Sequence, residues 1–145
     1  MPINNFPFLK ISPDSIRRPI LIVKIVNPQT GLMIDSMGVI DTGADACAVP
    51  AGYAKILGYD LKKGMPKPVG TGAGLTTAYS HICRLEVYNT KSVFERNPEV
   101  IYTTSEVQID FMEKLPIVLL GVSDFLGQFF LGVDYPSQLF SVRQP

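Results

Sequence analysis

The chain has few residues of the kinds that bind metals or form cross-links. Its 145 residues include one histidine, two cysteines and no tryptophan. His81, Cys47 and Cys83 lack the spacing of a zinc site, so we expect no metal and no other cofactor. Nothing in the sequence indicates an oxidising compartment, and we therefore expect both cysteines to be free, buried thiols.

The chain also lacks an excess of charge and a long apolar run. Thirteen basic and thirteen acidic residues give a formal net charge of zero, so no long-range field attracts nucleic acid or an acidic membrane. The apolar run from Leu115 to Val122 is too short to span a bilayer and contains Pro116. The first residues do not have the basic-then-apolar order of a signal peptide. We therefore expect a cytoplasmic protein with neither a nucleic-acid nor a membrane partner.

Apolar residues, in contrast, are abundant. They make up 46% of the chain against 18% charged residues, with a mean hydropathy of +0.21. A chain of this length can bury its own core, which predicts a single domain over residues 1–145. The apolar excess predicts that part of the surface meets a partner.

Short stretches of β-type sequence, separated by turn residues, dominate the chain. Strands are predicted at 6–11, 19–26 and 32–40, then over the alternation from Tyr79 to Val87, which follows a glycine-rich tip, and at 100–104, 106–112 and 116–121, with a last edge strand near the C-terminus. A Gly/Pro-rich connection is predicted over Lys63 to Pro68, and short helices are predicted near 53–57 and after Gly121. This pattern predicts an all-β fold, closed or barrel-like, with one or two short helices.

One turn places an acidic residue directly behind an apolar strand. Asp41, followed by Thr42 and Gly43, stands where an unpaired buried charge would be costly. A tight turn can satisfy such a carboxylate with backbone N–H groups and a hydroxyl. These three residues alone favour an Asx-type turn in which Asp41 simply caps its own backbone.

The longer segment, Val39 to Asp45 followed by Val49 and Pro50, resembles the active-site segment of retropepsin-like aspartic proteases. Two later segments match the same family in order. Gly70 to Gly74 resembles its glycine-rich flap, and Leu119 to Gly121, followed by Ser123 to Leu126, resembles the apolar pair and glycine that lead into a short helix. The three matches span residues 38 to 126.

The resemblance implies the closed retropepsin (acid protease) fold with a flap hairpin, and the activity of an aspartic endopeptidase acting on peptides or proteins. Peptide hydrolysis of this type requires two facing carboxylates that share one proton. The chain has one Asp-Thr-Gly, so the resemblance implies a homodimer whose two-fold axis passes between Asp41 and its symmetry mate.

The resemblance also implies the site residues. The implied catalytic residues are Asp41, Thr42 and Gly43, and the implied substrate-binding residues are Ala44, Asp45, Gly72, Ala73 and Gly74. Thr42 is expected to hydrogen-bond across the dimer axis, and Asp45 to bind main-chain N–H groups of the substrate. The last three residues are expected to form the tip of a flap that closes over the substrate.

The chain departs from retroviral members at one position. They usually carry Arg directly after the C-terminal Gly, where it pairs with the second acid of the motif, whereas this chain has Val122. Another group, such as Arg84 or a residue of the second subunit, is therefore expected to hold Asp45. The 88–104 region and the N-terminal arm are longer than in retroviral enzymes, which leaves the dimer contacts open.

Two other functions compete with the protease. The first is a non-catalytic dimerisation or peptide-binding module that keeps the fold. The second is a cysteine hydrolase using Cys83 and His81. Residues two apart on one strand are separated by about 7 Å, beyond hydrogen-bond reach, which excludes a Cys–His pair of this kind.

Overall fold

The apolar, β-branched segments form eleven strands and three very short helices in a computed structural model that describes all 145 residues. The strands are β1 Pro2–Pro7, β2 Ile20–Val26, β3 Met33–Ile40, β4 Ala48–Pro50, β5 Met65–Thr71, β6 Gly74–Tyr88, β7 Val100–Thr103, β8 Val107–Met112, β9 Val118–Leu120, β10 Phe130–Asp134 and β11 Leu139–Arg143. The helices are α1 Tyr53–Leu57 and two 3-10 helices, Leu61–Lys63 and Leu126–Gln128. None of them has the length and apolar character needed to cross a membrane.

Six strands close into a barrel. Their order is β2, β3, β9, β4, β8 and β6, and β6 pairs back onto β2, with Val23 opposite Val87. Most pairs are antiparallel, but β3 with β9 and β4 with β8 are parallel. This arrangement confirms the predicted all-β, closed fold.

Alternate residues of the barrel strands fill its interior. Val23, Ile25, Leu85, Ile109 and Phe111 have no exposed surface. Each such side chain contributes roughly 1.5 to 3 kcal/mol by leaving water. The packed interior therefore gives a firm support for the loops that leave the ends of β3 and β9.

A hairpin of β5 and β6 extends from the barrel. Pro66 and Pro68 lie within β5, opposite Tyr79 and Thr77 of β6, so the connection predicted over Lys63 to Pro68 is wrong. Because β5 has a neighbour on one side only, an edge strand of this kind tolerates proline, which cannot donate to the ladder. The glycine-rich segment lies at the hairpin tip, as predicted.

A second sheet joins the two ends of the chain. Its order is β1, β11, β10, so the C-terminal strand predicted at an edge is the middle strand instead. The first strand runs from Pro2 to Pro7 rather than over 6–11. Phe8, just beyond it, packs against Phe140 and Tyr135, so its apolar character reflects a packing contact and not a strand.

The helices are as short as the sequence indicates. Helix α1 ends at Gly58, which adopts a left-handed φ of 79° and donates its N–H to the carbonyl of Lys55. After Gly121 only the single 3-10 turn Leu126–Gln128 forms. Gly127 lies inside that turn and disfavours a longer helix.

Candidate active site

The acidic motif forms a tight loop at the end of β3. The N–H of Asp41 donates to the carbonyl of Leu120 at 3.1 Å, which anchors the start of the loop on β9. The N–H of Gly43 donates to Oδ1 of Asp41 at 3.0 Å. The Asx-type turn is therefore compatible with the resemblance to an active-site loop. The turn holds Oδ1 of Asp41 in place, while Oδ2 makes no hydrogen bond.

This loop is open to solvent rather than sealed in the core. Asp41 is half-buried, while Thr42, Gly43 and Asp45 are exposed, and Cys47 and Ala48 behind them are buried. Because both carboxylates keep contact with solvent, a single chain does not bear the free-energy cost of burying an unpaired charge.

The segment 120–123, called here the backing segment, holds the loop from behind. Val122 N–H donates to the carbonyl of Ala44 at 2.9 Å, and Ser123 N–H donates to that of Asp45 at 2.8 Å. The N–H of Gly121 donates to Sγ of Cys47 at 3.3 Å. These bonds use backbone donors of the segment, so they fix the loop whatever side chain stands at position 122.

Gly121 is required by close approach. A Cβ at this position would lie 2.3 Å from the carbonyl oxygen and 2.4 Å from the carbonyl carbon of Ala46. Those atoms are backbone and cannot move aside as a side-chain end can. The glycine of the Leu-Leu-Gly match therefore has a physical role: it lets the backing segment reach the loop that carries Asp41.

A cleft of about 530 Å³ lies between the loop and the β5–β6 hairpin. The loop contributes Asp41 and residues 43–46, the hairpin contributes residues 67–72, and the barrel contributes Ala48, Asp110, Met112, Leu115 and Leu119. The cleft has an apolar wall and several charged groups. Its size and composition suit a peptide segment.

The hairpin tip is fixed by its own side chain and backbone. Thr71 Oγ1 donates to the carbonyl of Gly74 at 2.8 Å and accepts the N–H of Ala73 at 3.2 Å, while Gly74 has a φ of 111°. Gly72 lines the cleft, but Ala73 and Gly74 lie at the exposed tip and do not. Of the three predicted flap residues, one therefore faces the cleft within a single chain.

Asp45 has no partner in the chain. Its carboxylate makes no hydrogen bond or ion pair, although it lines the cleft. The suggested partner Arg84 is wrong: its guanidinium lies 3.3 Å from Glu86 and faces outward between the buried Cys83 and Leu85. The Asp45 carboxylate is thus free for a ligand or a second subunit.

Three polar residues of the cleft region come together in a way that the sequence does not indicate. Asp110 is almost fully buried, with Oδ2 2.8 Å from Nζ of Lys67 and Oδ1 accepting the hydroxyl of Ser80 at 2.8 Å. The alternation around β8 placed Asp110 among outward-facing polar residues, and nothing in the sequence linked it to Lys67 or Ser80. Only the fold brings these three side chains together.

Two charged residues of the cleft affect Asp124, which directly follows the backing segment. Burial raises the pKa of Asp124 above its ordinary value, and the charge of Asp110 raises it further, while Lys67 opposes the shift. Lys67 is therefore the cation that balances this side of the cleft.

The cysteines are placed for packing. Cys47 and Cys83 are both free and buried, and burial raises the pKa of Cys47 to about 12 and that of Cys83 to about 11. His81 Nε2 lies 2.9 Å from the carbonyl of Leu61, and the ring packs against Tyr59 and Phe111. With no accessible thiolate, Cys83 is not a nucleophile.

The sequence and the fold can be compared with those of known proteins. No family model and no curated protein matches the sequence. Among solved structures, a retropepsin-like aspartic protease from Rickettsia conorii matches over 86% of this chain and 91% of its own, with 20% identity and a TM-score of 0.55. The simian foamy virus (mac) protease matches over 73% of this chain and 90% of its own, with 16% identity and a TM-score of 0.43. The EIAV protease complexed with the inhibitor HBY-793 matches over 77% of this chain and 88% of its own, with 16% identity and a TM-score of 0.38.

The first of these matches covers nearly the full length of both chains. It agrees with the closed six-stranded, all-β barrel of this chain. The chain therefore has the fold of the retropepsin-like aspartic proteases.

Proposed function

We propose that this chain is an aspartic endopeptidase that acts as a homodimer, each single domain of residues 1–145 supplying half of the active site. The supporting observation is the position of Asp41: it is held in a rigid loop, with one oxygen unbonded, at the mouth of a cleft beneath a glycine-tipped hairpin. One chain carries one such carboxylate, and the chemistry requires two. A two-fold axis beside Asp41 supplies the second from the same sequence.

The reaction follows from two carboxylates that share one proton. The ionised Asp41 removes a proton from water as the water oxygen attacks the carbonyl carbon of the substrate, and the protonated Asp41 of the other subunit donates its proton to the carbonyl oxygen. The tetrahedral intermediate then loses its amine, which takes up a proton from the protonated Asp41, while one hydroxyl of the intermediate returns a proton to the other Asp41. A carboxylic acid and an amine leave, and the dyad retains one proton.

The neighbouring residues bind and orient the substrate. Thr42 is exposed beside Asp41, where its hydroxyl can meet the other subunit across the axis. Gly43 and Ala44 present backbone groups to the cleft, and the free carboxylate of Asp45 accepts substrate N–H groups. Gly72, with Ala73 and Gly74 at the tip, closes over the bound peptide and excludes water.

Asp41→Asn tests this assignment. The variant should remain folded, because the amide oxygen can still accept the N–H of Gly43, and it should cleave at least ~10³-fold more slowly because it can no longer take a proton from water. Cleavage of a peptide library is measured at mildly acidic pH, with circular dichroism as a check on folding.

Asp14→Asn is the matched control, since Asp14 is exposed and lies outside the cleft. It should cleave like the wild type. Cleavage retained by Asp41→Asn would contradict the catalytic assignment. A wild-type dimer that is inert over about pH 3 to 7, but binds peptides, would instead be a non-catalytic peptide-binding module.

A further inference from the structure

Lys67 and Asp110 join the hairpin to the barrel inside the cleft. Lys67 belongs to β5, which pairs only with β6, whereas Asp110 belongs to β8 of the closed barrel. Their charged atoms are 2.8 Å apart, and both residues line the same cleft as Asp41. The ion pair thus lines the cleft in which we propose that the peptide binds.

The two partners differ in what they offer to a ligand. The side chain of Asp110 is 7% exposed and both of its oxygens are occupied, one by Lys67 and one by Ser80. The side chain of Lys67 is 43% exposed, and its ammonium group has three donors of which Asp110 takes one. A ligand therefore meets unused donors of Lys67 and not the carboxylate of Asp110.

The wall beside this ammonium group is apolar. Ala48 and Met112 pack together there with Val69, Leu115 and Leu119. A substrate side chain that contacts both the apolar wall and the ammonium group of Lys67 needs a short apolar stem and a hydrogen-bond acceptor at its end. Glutamate and, more weakly, glutamine have this form, whereas lysine or arginine would place a second cation against Lys67.

We infer that Lys67, held in place by Asp110 and Ser80, is a specificity-determining residue that selects peptides with a glutamate or glutamine side chain at one subsite of the cleft. Asp110 and Ser80 act as positioning residues, because they fix the ammonium group without meeting the ligand. The inference rests on the proposed peptidase. In a two-fold dimer the subsite occurs twice, so the preference should appear at one position on each side of the cleaved bond.

The test uses peptides that differ only by Glu, Gln, Met or Lys at each position in turn, at about pH 6, where glutamate is ionised. The wild type should favour Glu over Met by about tenfold in kcat/KM at the responsive positions. The double variant Lys67→Met/Asp110→Asn should lose that ratio. It leaves no uncompensated buried charge, and the amide oxygen introduced at position 110 can still accept the hydroxyl of Ser80, so the fold is retained.

Lys62→Met is the matched control, since Lys62 is exposed and makes no ion pair; it should keep the wild-type ratio. Affinities of the same peptides for Asp41→Asn provide a second readout that does not need catalysis. Cleavage without a Glu preference, with a preference for Lys, or with a preference unchanged in the double variant overturns the inference and leaves the peptidase intact. Absence of both cleavage and peptide binding overturns both.

Discussion

At the scale of single residues, Asp41 and Asp45 have different surroundings although three residues separate them. Asp41 accepts a backbone N–H of its own turn, and Asp45 is exposed without any partner. One carboxylate is therefore fixed in orientation while the other keeps all its acceptor sites. A rigid group suits proton transfer, and an unoccupied group suits ligand binding.

The buried thiols lead to a prediction for alkaline stability. Burial raises the pKa of Cys47 to about 12 from 9.0, so above about pH 9 the unfolded chain loses a proton that the folded chain keeps. The free energy of unfolding should therefore fall as the pH rises from about 9 towards 12. Cys83 and Tyr59, whose pKa values burial also raises, add to the fall.

Urea denaturation at a series of pH values measures this effect. The variant Cys47→Ala should show a shallower fall than the wild type, although it is less stable at neutral pH because it leaves a small cavity. A fall of the same steepness would show that the thiol ionises in the folded protein. At neutral pH, a thiol reagent should label both cysteines only after denaturation.

A turn that depends only on adjacent residues could be predicted from the sequence. Asp41, Thr42 and Gly43 form the expected turn because three adjacent residues contain all its requirements. Asp110 was not predicted, because its environment depends on Lys67 and Ser80, which the chain brings from other strands. Arg84 was wrongly proposed as a partner for Asp45. Glu86, two residues further along the same predicted strand, lies on the same face and is the nearer partner.

At the scale of elements, the backing segment holds the loop that carries Asp41 in its shape. Its N–H groups bond residues 44, 45 and 47, and Gly121 permits the approach. Val122 does not disturb these bonds, because they come from the backbone, but it leaves the carboxylate of Asp45 without a side-chain partner.

Gly121→Ala tests this role. The added methyl group would overlap the carbonyl of Ala46, so the segment must move away from the loop. We expect a loss of roughly 2 to 4 kcal/mol in the free energy of unfolding, above the usual cost of overpacking because the obstacle is backbone. The rate of cleavage should fall by more than the loss of folded protein explains, because the displaced loop carries Asp41.

Gly52→Ala is the comparison for that variant. Gly52 has helical φ and ψ angles, and nothing lies within 4 Å of an added Cβ. Its substitution should leave stability unchanged or raise it slightly. Equal stability losses in the two variants would contradict the role assigned to close approach at Gly121.

The bounds of a strand were predicted well where its apolar residues form a clear pattern. They were predicted poorly where the strand depends on its position in the sheet or on pairing with a distant segment. The β2–β3 hairpin and β6 followed their apolar patterns. The prolines of β5 suggested a connection, because a sequence does not reveal that a strand lies at an edge. The position of β11 between β1 and β10 depends on long-range pairing, which no local pattern encodes.

At the scale of the whole molecule, the proposed activity depends on association. If two chains form the site, the rate per chain should fall with dilution once the concentration drops below the dimer dissociation constant. A tenfold dilution in that range should lower the specific activity by about tenfold. Sedimentation at the same concentrations should show the dimer dissociating, and a specific activity independent of concentration while monomers prevail would contradict a shared site.

The sheet formed by β1, β11 and β10 has a consequence for how the protein is made. Ile3 lies opposite Val142, so the first strand has no partner until the last has left the ribosome. Closing so long a loop is slow, and until it closes β1 presents unpaired backbone to other nascent chains. The fold is therefore completed only after synthesis has reached the last strand. We expect the chain to depend most on chaperones between the synthesis of β1 and its pairing with β11.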